Sequence, residues 1–157
     1  MSTTVIENHL SDMMKCIQKQ TKKVQLLKNH IDIKRADIQL EAEENTFQHW
    51  LEGEGAYIQE HIPGQFLEDI SRLHEAWHDT YAKVFDLYFG EKRFLLGERT
   101  QPKHLDEQGQ TRVKIYYDEL FETSEILMHK LDILKQRVHS SSALDDNDIT
   151  TEEKLVI

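Results

Sequence analysis

The sequence predicts an all-α protein: a four-helix bundle with three long helices, one short helix and an acidic C-terminal tail. Two observations carry that prediction. The chain of 157 residues holds only 6 Gly and 2 Pro against 31% charged residues, so little in it breaks helices. Its apolar residues also recur at steps of three and four, the period of a helix with one buried face.

The first element follows Val5, Ile6, Leu10, Met13, Met14, Ile17, Val24, Leu27 and Ile31. Gln20 and Thr21 fall in phase with this stripe and interrupt it. A polar break of that kind is ordinary packing in most bundles, and it is also where bundle sites are built. From Asn29 to Glu44 the pattern weakens without any Pro or Gly. A very long first helix or a bend near residues 29–34 both fit. Asn45 is a plausible N-cap for a short helix T-F-Q-H-W-L-E, which Gly53 and Gly55 are expected to end.

Pro63 and Gly64 introduce the next long helix, with Phe66, Leu67, Ile70, Leu73, Trp77, Tyr81, Val84, Phe85 and Tyr88 on its apolar face and Gly90 or Gly97 as its stop. The stretch around Pro102 and D-E-Q-G-Q (106–110) reads as a loop. The last helix is the most regular: Val113, Tyr116, Leu120, Ser124, Leu127, Leu131, Leu134 and Val138. Residues 1–139 are expected to form one domain and residues 140–157 an acidic flexible tail.

Bulk chemistry removes several classes of function. A net charge of −10 opposes binding to nucleic acid or to anionic membranes. No window approaches 18 consecutive apolar residues, so no membrane insertion is expected. No basic segment followed by an apolar run opens the chain, so no signal peptide is expected. The one cysteine, Cys16, rules out an internal disulfide and points to a reducing, cytoplasmic setting. A phosphate-binding Gly-rich loop and G-x-S-x-G are both missing, so an enzyme is not expected.

The residues with chemistry are histidines. In I-S-R-L-H-E-A-W-H, His74 and His78 stand four apart, on one helical face one turn apart, close enough to share a metal ion. Both lie on or beside the buried face, where an imidazole needs partners for its nitrogens. The bland alternative is a pair of boundary histidines bonded to water or carboxylates. A hemerythrin-like di-iron centre is a remote alternative, since no histidine has a Glu four residues on.

The segment T-F-Q-H-W-L-E-G-E-G (46–55), followed by I-P-G-Q-F-L-E-D-I and L-H-E-A-W-H, resembles the chemoreceptor zinc-binding domain family. Phe47, Trp50 and Leu51 match its aromatic and apolar positions, and His74 and His78 its closing histidine pair. The resemblance implies a zinc site of three histidines and one cysteine, in a sensory or regulatory domain of bacterial chemoreceptors and diguanylate cyclases, often dimeric. Asn45 falls where the family has its cysteine, and Gln48 where it has a glycine. The first histidine falls on Gln20 or, in another register, on His30. Cys16, one turn before Gln20, is a candidate for the missing thiolate. The expected zinc ligands are therefore His74 and His78 with His30 or Cys16. The expected function is a sensory and regulatory module in signal transduction and chemotaxis, acting through a protein partner or a homodimer. The competing expectation is a protein-interaction or dimerisation bundle that has lost its metal.

Overall fold

A computed structural model of the chain describes residues 2–40, 47–62, 64–90, 97 and 99–156, with side chains described as far as Ser141. Its elements are α1 (Thr3–Lys28), the single turn α2 (Arg35–Ile38), a π-helical turn (Leu51–Gly55) running into α3 (Ala56–His61), α4 (Phe66–Phe89) and α5 (Glu107–Val156). The fold is all-α, and no β-strand occurs among the described residues.

α1 buries Ile6, Leu10, Ile17, Val24 and Leu27, and with them the polar Gln20 and Thr21. It ends at Lys28, so a very long first helix is not formed, and the chain turns within residues 29–34. The cause is local. His30 adopts φ +66°, in the left-handed region. The His30 N–H then donates to the Leu27 carbonyl and the Ile31 N–H to the Leu26 carbonyl, at 3.0 and 2.9 Å. This paired closure satisfies the last carbonyls of a helix and usually uses glycine at the left-handed position. The chain then folds back, and α2 is tied down by Arg35. Its backbone N–H donates to the Thr100 carbonyl and its guanidinium to the Phe89 carbonyl.

Asn45 and Pro63 lie outside the described residues. The helix around Trp50 does not stop at Gly53 or Gly55. Gly55 keeps right-handed angles (φ −59°, ψ −42°), whereas a glycine that closes a helix is typically left-handed. The chain passes through the π turn and runs on to His61.

α4 and α5 follow the expected faces closely. α4 buries Leu67, Ile70, Trp77, Tyr81, Val84 and Tyr88, and ends as expected before Gly90. α5 buries Val113, Leu120, Ser124, Leu127, Leu131, Leu134 and Val138, with Tyr117 buried beside a half-buried Tyr116. Ser124 does not leave an open polar group, because its hydroxyl donates to the Phe121 carbonyl at 2.8 Å. D-E-Q-G-Q is a helix start rather than a loop: Asp106 Oδ1 accepts the Gly109 N–H at 2.7 Å, an N-cap contact. At its other end the α5 backbone stays helical to Val156, beyond the expected boundary at residue 139. No Gly or Pro interrupts residues 140–156 to stop it.

α5 is the spine, with α1 and α4 both packed along it. α1 and α4 meet each other through long side chains, and that sets up the site.

The strained cap gives a direct test. His30→Gly removes the cost of a side chain at positive φ, about 1 kcal/mol, and should raise the melting temperature by about 2–4 °C. A fall in melting temperature would contradict this account of how α1 ends.

Candidate functional site

On α4, the residues Ile70, His74, Trp77 and Tyr81 follow one another at three- and four-residue steps along the face turned to the core, with His78 next to Trp77. Two of them span the gap to α1. The Trp77 indole N–H donates to Thr21 Oγ1 at 3.2 Å, and the Thr21 hydroxyl donates in turn to the Ile17 carbonyl at 2.8 Å. The Tyr81 hydroxyl donates to the Ile38 carbonyl at 2.5 Å and lies 3.1 Å from Gln20 Oε1. Thus the two polar residues that interrupt the α1 stripe receive the polar ends of two buried aromatics. The Trp77 and Tyr81 rings stack on each other with centroids 5.1 Å apart.

One turn before Trp77, the His74 ring lies flat against Phe47, with centroids 3.8 Å apart and planes within 9°. Burial, with a smaller contribution from the neighbouring His78, pushes the His74 pKa down to about 4. His74 is therefore a neutral imidazole at physiological pH. The His78 ring stands 6.4 Å from it.

These side chains border a cavity of ≈610 Å³ between α1, α4 and the segment that contains the π turn. Met13, Cys16 and Ile17 of α1 line one wall, and Phe47, Trp50 and Gly53 another. The π turn brings Glu54 to the same cavity. Its Oε1 meets His9 Nδ1 at 2.6 Å, across 45 residues of sequence. Two buried polar atoms of bordering residues have no hydrogen-bond partner: the indole nitrogen of Trp50 and Oε2 of Glu54. Buried polar atoms are normally satisfied, so these two are exceptions, and both belong to residues that border this cavity.

Of the expected ligands, His74, His78 and Cys16 all border this cavity. His30 does not. It lines a second cavity of ≈500 Å³ beside Tyr88 and His104, and its backbone role as a helix cap explains its position there. Gln20, the other register for the first histidine, is engaged with Tyr81. Asn45 lies outside the described residues. Among the described residues no group of three or more His, Cys, Asp or Glu could hold one metal ion. A closed zinc site needs four ligands, so the described residues supply a histidine pair and not a complete structural site.

Sequence reasoning missed Glu54 and His9. Glu54 reads as one of many exposed acids, and nothing in sequence links it to a residue 45 positions away. Trp50 reads as a core residue; its unpartnered N–H is visible only in three dimensions.

No protein-family model, curated protein or solved structure matches this chain.

The buried imidazole makes stability depend on pH. In the unfolded chain His74 titrates at its ordinary value of 6.5, and in the folded chain at about 4. Above pH 6.5 both states are neutral and nothing changes. Between 6.5 and 4 the unfolded state takes up the proton first, so stability falls as pH falls. At 1.36 kcal/mol per unit, reduced for partial solvation, the loss is about 2–3 kcal/mol. Chemical denaturation of wild type and His74→Leu at pH 7.5 and 4.5 should show a smaller acid loss in the variant. Equal losses would mean that His74 is solvated.

Proposed function

We propose that this chain is a sensory or regulatory helical bundle of the cytoplasm, which takes a small ligand beside His74 and His78 and acts through a protein partner. Three long helices, α1, α4 and α5, and the shorter helical segment around Trp50 make up the four-helix bundle. The observation that carries the reading is the cavity with its two unpartnered buried polar atoms. A volume of ≈610 Å³ suits an organic molecule and far exceeds a bare ion. Its placement supports a regulatory role. The cavity lies in the gap between two helices that share one spine, so a ligand that fills it acts on both contacts with α5. The resemblance of residues 46–78 to the chemoreceptor zinc-binding domain supports the same class of function.

The histidine pair supports a second reading, in which His74 and His78 hold zinc. The observation that favours it is that His74, kept neutral by burial, faces the cavity next to His78, with Cys16 on the opposite wall. Neutral imidazole is the form that binds zinc. Such a site needs further ligands beyond the histidine pair.

Two measurements separate the readings. For the first, 4-phenylbutan-1-ol serves as a neutral probe of the cavity. A probe at 100 times its Kd stabilises the folded state by about 2.7 kcal/mol, a rise in melting temperature of several degrees. Cys16→Phe, which places a ring inside the cavity, should remain folded and lose this response. A wild type that does not respond sinks the ligand reading. For the second, metal content is determined by mass spectrometry on untagged protein after zinc addition, for wild type and for His74→Ala with His78→Ala. Stoichiometric zinc lost in the double variant supports the zinc reading, and metal-free wild type ends it.

A further inference from the structure

We infer that the ligand of this cavity is a small organic cation, with an apolar ring-bearing body and a protonated amine. The inference rests on the reading of the cavity as a ligand site and adds the charge of the ligand to it. Three observations point the same way.

The first is charge. Among the described residues, the side chains bordering the cavity include two acids, Asp12 and Glu54, four histidines and no lysine or arginine. The chain as a whole carries −10. An anionic ligand would meet two carboxylates with no permanent cation to offset them, and a cation meets the opposite field.

The second is Glu54. One of its oxygens is engaged by His9 at 2.6 Å, while Oε2 is buried and has no partner. A carboxylate oxygen can only accept, so what completes it is a donor. A buried acceptor left open costs about 1–3 kcal/mol, and more when charged. An ammonium group in the cavity beside Glu54 offsets its charge, and a small turn of the buried carboxylate gives Oε2 a charge-assisted bond. A carboxylate offers no donor.

The third is the walls. Phe47, Trp50 and Trp77 present aromatic surface around the same space. Ring faces attract cations as well as apolar groups, most strongly for tryptophan. The aromatic walls and the acid therefore select the same molecule, and Met13 and Ile17 select its apolar body. The imidazole of His74 adds no opposing charge, because it already lies against Phe47 as a neutral ring.

The experiment compares three probes with one body: 4-phenylbutylamine, 4-phenylbutan-1-ol and 4-phenylbutyrate. Both tryptophans of the chain border the cavity, so intrinsic fluorescence reports occupancy, and calorimetry gives the affinities. At pH 7.5 the amine is expected to bind at least tenfold more tightly than the alcohol, and the carboxylate most weakly. Glu54→Gln is expected to remove the preference for amine over alcohol and leave the affinity for the alcohol unchanged, which also shows that the variant is folded. If the alcohol binds but the amine gains nothing over it, or if Glu54→Gln keeps the preference, the cation assignment is overturned and the cavity reading stands. If none of the three binds, both fall.

Discussion

Everything in this bundle depends on how α4 is joined to α1. The join is made by the ends of two aromatic side chains. Trp77 reaches Thr21, and Tyr81 reaches Ile38 and Gln20. An indole or phenol holds its ring in the core only if its N–H or O–H finds a partner. The hydrogen bonds therefore fix the separation of the two helices as well as stabilising it. Side chains of that length keep the backbones apart along the gap, while α5 closes it from one side. Close packing fills the gap at Tyr81. One turn further toward the start of α4, Trp77 borders the cavity, and His74 follows it.

The chemistry of that cavity has its origin in the same geometry. His74 is pressed against Phe47 and loses most of its hydration, so it stays neutral. The π turn contributes the opposite wall. An extra residue in a helical turn rotates the side chains beyond it about the helix axis, and π turns often occur at functional sites for that reason. Here the turn contains Gly53, which borders the cavity without a side chain, and Glu54, which is left 12% exposed. A histidine pair, a cysteine and a half-satisfied acid thus share one chamber, although only the histidine pair has ligand spacing in the sequence.

The long helical faces were legible in the sequence because each depends on local periodicity. The buried positions of α4 and α5 fall almost residue for residue where steps of three and four place them. Gln20 and Thr21 were legible as an anomaly, and the structure supplies its meaning. Three kinds of feature were not legible. His30 ends α1 through a left-handed conformation that glycine normally takes, and no composition rule points to a histidine there. Gly53 and Gly55 read as a helix stop, because the sequence does not show whether a glycine turns left-handed. D-E-Q-G-Q reads as a loop by composition, yet Asp106 caps a helix. Of the site, the pair His74 and His78 and the nearness of Cys16 were readable from spacing and phase. The His9–Glu54 contact and the unpartnered indole N–H of Trp50 depend on tertiary packing alone.

The central claim is that the Trp77 indole N–H is tied to the neighbouring helix while the buried Trp50 N–H has no hydrogen-bond partner within the chain. The chain has only these two, Trp50 and Trp77, so each indole N–H gives one assignable cross-peak in a nitrogen–proton NMR spectrum. The Trp77 signal should lie at lower field, exchange slowly with solvent deuterium, and shift in Thr21→Val. The Trp50 signal should lie at higher field and be unaffected by that substitution. Two indole signals with the same shift, or a Trp77 signal unmoved in Thr21→Val, would contradict the account.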